Sequence, residues 1–392
     1  MTPPARISAA IEILDAILAG AAGEKVLTNW ARANRYAGSG DRAAIRDLVF
    51  AAQRCRRSYG WTGGAMTGRG LMIGHVLTSE MDASTLFCSD RFAPAPLSEA
   101  ELTGCDISKA TRGVRLDCPD WLLANFDGAA GENADTVLQA LQKRAPVFLR
   151  VNTGKTDLAG AALALAADGI TTAPNARARG ALEVRSNPRR VAQSRAFKDG
   201  LVELQDAGSQ AVVAFLDLQG GQNVLDYCAG GGGKSLAMAA AANINVTAYD
   251  IDNKRMKDLK RRAVRAGADI QITDAAMLSG RRFDLVLVDA PCSGSGAWRR
   301  SPDAKWNLTP KRLQELVALQ VEVLDQAAAH VREGGTLAYA TCSLFLQENS
   351  DQVARFLGRW PGWKLLRDQQ SWPDHSGDGF YIALLTRVGR KS

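Results

Sequence analysis

Apolar residues recur at Ile7, Ile11, Leu14 and Leu18, at i, i+4, i+7 and i+11, and so line one face of an amphipathic helix. A second helix is predicted from Asp41, as its N-cap, through Ile45, Leu48 and Val49 to about Arg57. Ala- and Leu-rich segments broken by Gly and Pro continue to about Lys143, so residues 1–143 read as an all-α domain. The pattern changes at Pro146. Residues 147–152 alternate like a strand, a helical stretch follows over residues 157–168, and short strands flank a basic segment from Arg177 to Lys198. Residues 144–210 therefore read as a small α+β basic domain.

Strand and helix patterns then alternate. Strands are predicted at residues 223–227, 245–249, 269–273, 283–288 and 336–339, with a late antiparallel strand over residues 379–385. That alternation predicts an α/β, Rossmann-like, doubly wound domain over residues 211–392. Two of its apolar runs end on a cysteine motif. Residues 283–288 lead into Asp289-Ala290-Pro291-Cys292, and residues 336–339 into Ala340-Thr341-Cys342-Ser343. Neighbouring strand ends of an open parallel sheet converge on one crevice. Two thiols delivered there suit nucleophilic chemistry, because a thiolate attacks well.

Composition narrows the class. A chain of 392 residues suggests two or three domains, and 46% apolar residues suffice for packed cores. The net charge of +7 favours a polyanionic partner. The seven cysteines form no CxxC pair and only three histidines are present, so no metal site is expected, and a reducing cytoplasm is the natural compartment. Glu12 and Asp15 interrupt the first apolar stretch, which argues against a signal peptide, and no uncharged apolar run is long enough to span a membrane.

Residues 224–235, Val-Leu-Asp-Tyr-Cys-Ala-Gly-Gly-Gly-Gly-Lys-Ser, read as strand, Gly-rich turn and helix start, a place where backbone approaches a ligand closely. A Walker A loop would need glycine where Cys228 stands, and a G-x-G-x-x-G fingerprint would end on Ser235 or Leu236, so both fail. Asp250 follows the second strand, placed for ribose hydroxyls, and Asp274 follows the third, placed for an adenine amine. Glycine loop and two acids together fit a nucleoside cofactor without phosphates, S-adenosylmethionine (SAM).

With these residues in view, the chain resembles the Sun/RsmB-type RNA (cytosine-5) methyltransferases over most of its length. The resemblance is anchored on residues 228–234, Asp250, Asp274, the Asp-Ala-Pro-Cys run at residues 289–292, residues 299–306, the Thr-Cys-Ser run at residues 341–343 and Gly-Asp-Gly-Phe at residues 377–380. It implies that the N-terminal helices are NusB-like and bind RNA. It also implies that Cys228, Ala229, Gly230, Gly231, Gly232, Gly233, Lys234, Asp250, Asp274 and Asp289 contact SAM or line its pocket. Cys342 would then be the nucleophile and Cys292 would assist product release; the residues alone leave the two thiols interchangeable. Gly231 stands where the family commonly has proline, a geometry glycine can adopt.

The chemistry asks for the same groups. Carbon 5 of cytosine is a poor nucleophile until a thiolate adds at carbon 6, and Asp289 is placed to hydrogen-bond the base at N3 or its amine. The target expected from the resemblance is small-subunit (16S) ribosomal RNA. Transfer RNA is the alternative target, and a non-catalytic RNA-binding assembly factor that keeps the SAM fold is the alternative class. Arg189 and Arg190 in the basic segment, with Arg299, Arg300 and Lys305 after the Pro-Cys loop, are candidate phosphate contacts. Trp298 and Trp306 offer faces for base stacking. The expected protein is a monomeric enzyme with RNA as partner and no membrane association.

Overall fold

The first helix runs Pro3–Leu18, with Thr2 as N-cap accepting from the Ala5 amide. Its buried face centres on Ile7, Ala10, Ile13, Leu14 and Ile17, while Ile11 and Leu18 are half-buried, so the stripe is rotated from the predicted one. The second predicted helix spans Ser39–Arg54. Asp41 lies inside its first turn and accepts from the Gly38 amide at 3.1 Å, so it caps from the third helical position rather than from the N-cap. In this computed structural model residues 1–388 are described, and they fall into two units.

The first unit is helical, Met1–Arg144, and Trp298–Asn307 belongs to it as well. That returning segment packs on the helices through Trp298, Pro302, Lys305 and Trp306, while Arg300 and Ser301 are exposed. Trp298 meets Phe126 edge-on with ring centroids 6.1 Å apart, Trp306 Nε1 donates to the Gln53 carbonyl at 2.6 Å, and Gly23 N donates to Asp303 Oδ2 at 3.0 Å. Its membership was not legible from the linear sequence, where it reads as a polar loop after the Pro-Cys motif.

The second unit, Ala145–Ala297 with the chain from Leu308 onward, holds two sheets. The smaller contains β1 (Val147–Val151), β2 (Thr172–Pro174), β3 (Ala181–Val184) and β4 (Val202–Leu204), antiparallel in the order β2-β3-β1-β4. Helix Leu158–Ala167, capped by Asp157, contributes Ala161 and Leu165 to the core of that sheet.

The larger sheet comprises β5 (Asn223–Asp226), β6 (Asn245–Ala248), β7 (Ile270–Ile272), β8 (Phe283–Asp289), β9 (Val331–Thr341), β10 (Trp363–Ser371) and β11 (Phe380–Arg387). Their order is β10-β11-β9-β8-β5-β6-β7, parallel except where β11 joins β9 and β10. Alternation along β8 sends Val286 and Val288 into one core and Leu285 and Leu287 into the other. Both faces are covered, which is why residues 285–288 are continuously apolar. The chain leaves β5 toward β6 on one side and returns as β8 on the other. The β5/β8 boundary is therefore the switch point where such sheets bind ligands. Among the described residues no helix is long and apolar enough to cross a membrane.

Candidate active site

Four strand ends meet at that boundary. β5 ends on Asp226, β6 leads to Asp250, β8 ends on Asp289, and β9 leads to Cys342. Lys234, from the first turn of helix Gly233–Ala241, crosses the switch point and places Nζ 2.7 Å from Asp289 Oδ2. Its ammonium also lies 5.3 Å from the centre of the Phe380 ring. Burial by itself lowers the Lys234 pKa, but the Asp289 charge and hydrogen bond outweigh it and the net direction is upward. The sequence places Lys234 in the cofactor loop; the fold turns its side chain into the crevice.

The two thiols come together. Cys292 Sγ and Cys342 Sγ are 3.5 Å apart, and both residues are half-buried. The Cys292 thiol is pushed well above its usual range by its hydrogen bond to Cys342, by burial and by the nearby charges of Cys342 and Glu348. The Lys234 ammonium, in turn, is within electrostatic reach of Cys342.

Beneath the thiols lies a buried polar network that the sequence does not announce. Glu348 is fully buried and accepts from the Ser293 amide at 2.8 Å, from the Ser293 and Ser343 hydroxyls, and from Gln320 Nε2 at 3.0 Å. Ser295 Oγ accepts from the Leu344 amide at 2.7 Å, and the Gly296 amide donates to the Cys342 carbonyl at 2.9 Å. Asn349 accepts from the Thr341 hydroxyl at 2.6 Å and donates to the Ser343 carbonyl at 3.0 Å. In the sequence Glu348 sits in an ordinary polar run, and nothing local marks it.

The glycine loop has the geometry of a ligand cradle. Gly230 and Gly232 adopt φ of +52° and +76°, whereas Gly231 is outside that region and its carbonyl accepts from Arg262. A side chain on Gly232 would put its Cβ 2.1 Å from Leu259 Cδ1. Asp250 Oδ2 receives the Gly230 amide at 2.8 Å and Arg255 at 3.0 Å, tying the loop to the end of β6. Asp226 is buried and accepts from the Ser235 hydroxyl at 2.6 Å, while its Oδ1 has no partner. Burial pushes the Asp226 carboxyl up to about 7. Its position at the end of an apolar strand was the signal available for it. Cys228, predicted as a loop contact, is partly buried, and burial drives its thiol pKa upward.

Asp274 is exposed and accepts from the Met277 amide at 2.9 Å, capping its own short helix. It also lines a cavity of about 360 Å³ with Asn253, Met256, Ile272, Thr273 and Met277, where the buried Thr273 hydroxyl has no partner. Unmatched polar atoms at Asp226 and Thr273, a loop too tight for side chains and carboxylates after β6 and β7 together fit a nucleoside ligand.

The residues expected at the RNA divide. Arg189, Arg190 and Arg300 are exposed. Arg299 and Lys305 are buried at 3% and 2% exposure within the helical unit, and Lys305 Nζ donates to the Arg54 carbonyl at 3.1 Å. That burial corrects the reading of both as phosphate contacts. Trp298, at 1% exposure, has no face for a base.

Residues 213–386 match the family described as 16S rRNA methyltransferase RsmB/F, and residues 118–191 match its ferredoxin-like domain. A protein named ribosomal RNA small subunit methyltransferase B from Pectobacterium atrosepticum is 35% identical over 299 residues, covering 71% of this chain and 68% of the relative. The chain belongs to the RsmB/F methyltransferase family. A Pectobacterium carotovorum protein of the same name is 37% identical over 284 residues, and the match spans 66% of its length. Among solved structures, PH0851 superimposes with a TM-score of 0.75 at 23% identity, covering 99% of each chain. A methyltransferase homolog from Pyrococcus horikoshii gives 0.62 at 24% identity over 70% of this chain and 97% of its own. At these identities the structural matches speak for the fold, an α/β Rossmann-like methyltransferase domain. RsmB/F proteins are SAM-dependent, and the glycine loop, Asp226, Asp250 and the Asp274 cavity have the donors and acceptors that SAM requires.

Proposed function

We propose that this chain transfers a methyl group to carbon 5 of a cytosine in small-subunit ribosomal RNA, through a covalent bond between Cys342 and carbon 6. The observation that carries the reading is the paired thiols, 3.5 Å apart, at the ends of β8 and β9 beside the Lys234–Asp289 ion pair. The ribosomal target is supported by the names of the relatives.

Residues 228–234, Asp226, Asp250 and Asp274 would hold SAM, which when bound supplies an electrophilic methyl group. Cys342 attacks as the thiolate, forming the S–C6 bond and moving ring electrons toward carbon 5. Asp289 accepts from the exocyclic amine, and the Lys234 ammonium stabilises charge that develops on the ring at N3. After carbon 5 is methylated, water takes its proton, the electron pair left behind re-forms the C5–C6 double bond, and the S–C6 bond breaks with its electrons returning to Cys342 as the thiolate. The Cys292 thiol, hydrogen-bonded to Cys342 Sγ, stabilises the departing thiolate.

The test is the mass of a protein–RNA adduct that survives denaturation, compared between Cys292→Ala and Cys342→Ala. An adduct with the first and none with the second supports the assignment; the reverse exchanges the two roles.

A further inference from the structure

Glu348 plays no part in the chemistry above, yet its carboxyl group is fully buried and every group bonded to it is neutral: Ser293, Ser343 and Gln320. A buried carboxylate is costly to desolvate and persists where hydrogen bonds fill its acceptor sites. Ser293 and Ser343 each follow a cysteine of the pair directly in the chain. One side chain therefore bonds both cysteine loops, at the residue next to each thiol. Gln320 extends the tie, since its Nε2 also donates to the Pro291 carbonyl at 2.8 Å and its Oε1 accepts from Gln352 at 3.1 Å.

We propose that Glu348 is the positioning residue that sets the spacing of the two thiols and makes Cys342, rather than Cys292, the nucleophile. This rests on the covalent mechanism above. Position comes from the hydrogen bonds; the choice of thiol comes from the charge. A negative group beside Cys292 opposes a second negative charge there, and Glu348 is among the causes that push the Cys292 thiol upward. Cys342 bears on Cys292 in the same direction, and Tyr339 is a further titratable neighbour of that thiol. The ammonium of the site, Lys234, bears on Cys342. Glu348 opposes negative charge on Cys292 while the Lys234 ammonium bears on Cys342, and the two together favour the thiolate at Cys342.

The experiment is iodoacetamide labelling of the full chain across pH 6 to about 9.5, with Cys292 and Cys342 peptides quantified by mass spectrometry. In the wild type, Cys342 is expected to react about ten-fold faster than Cys292 near pH 8. Glu348→Gln keeps the side-chain shape and removes the charge. It is expected to speed Cys292 labelling about ten-fold, shift its pH profile downward, and lower kcat about ten-fold with KM for SAM unchanged. Glu348→Asp retains the charge at a shorter reach, so Cys292 should stay slow while kcat falls.

Faster labelling of Cys292 than Cys342 in the wild type overturns the proposal without any variant. So does an unchanged Cys292 profile in a Glu348→Gln protein that still binds SAM. Labelling requires no RNA. The expected thiol profile with no methyl transfer to any RNA would therefore sink the cytosine reading and leave the Glu348 assignment standing.

Discussion

The sulfur atoms of Cys292 and Cys342 lie 3.5 Å apart although 50 residues separate them in the chain. At that distance one thiol hydrogen-bonds the other, and removing either changes a different step. Cys342→Ala is expected to reduce methyl transfer by roughly 10⁴-fold, as loss of a nucleophile does. Cys292→Ala is expected to leave attack intact and slow release, so turnover stops after about one equivalent of RNA is bound covalently. Single-turnover kinetics check both.

The Lys234–Asp289 pair spans the switch point, and its loss should be felt in kcat. Lys234→Met and Asp289→Asn are each expected to lower kcat by about 10²- to 10³-fold. Lys234 also makes a pH prediction. A lysine whose pKa is raised on folding contributes stability that is complete below its unfolded value of 10.5 and is lost as pH rises through the folded value. Urea unfolding of Lys234→Met should therefore lack part of the alkaline stability loss that the wild type shows above that pH.

Asp226 is raised from 3.8 to about 7, so between those values the folded protein binds a proton that the unfolded chain does not. Its contribution is favourable below about 4 and is lost as pH rises through about 7. Asp226→Asn, which keeps the acceptor for Ser235, should raise Tm at pH 8 and change it little at pH 4. Equal shifts at both pH values would contradict the assignment.

Gly232 joins a φ of +76° to a Cβ position 2.1 Å from Leu259. Gly232→Ala is expected to cost about 1–3 kcal/mol of stability and to weaken SAM binding about ten-fold or more. Calorimetric titration with SAM measures the second effect.

Burial separates the basic residues into two kinds. Arg189→Ala and Arg190→Ala should weaken RNA binding and flatten its salt dependence by about 0.7 for each phosphate that is no longer neutralised. Lys305→Ala should leave that slope unchanged. It should instead destabilise the helical unit by about 1–3 kcal/mol, because the buried Arg54 carbonyl loses its donor.

Both cysteine loops are legible in the sequence because each follows a strand whose continuous apolar run announces burial on two faces. The glycine loop and the acids after β6 and β7 are legible from spacing in the same way. β10 is not: it is an edge strand, mostly exposed, and Lys-Leu-Leu-Arg-Asp-Gln-Gln shows no alternation. Trp298–Asn307 misleads because its arginines and lysine suggest a surface, whereas it packs on helices some 250 residues earlier in sequence, at Gln53 and Arg54. Glu348 and the three serines around it acquire meaning only once β8 and β9 lie side by side.

Methylation of cytosine through Cys342 is tested by incubating the protein with labelled SAM and, in parallel, unmodified 16S ribosomal RNA, transfer RNA and DNA, then digesting to nucleosides. The covalent mechanism predicts label in ribosomal RNA as 5-methylcytidine, abolished by Cys342→Ala. Label in any other nucleoside, or transfer that survives Cys342→Ala, would contradict it.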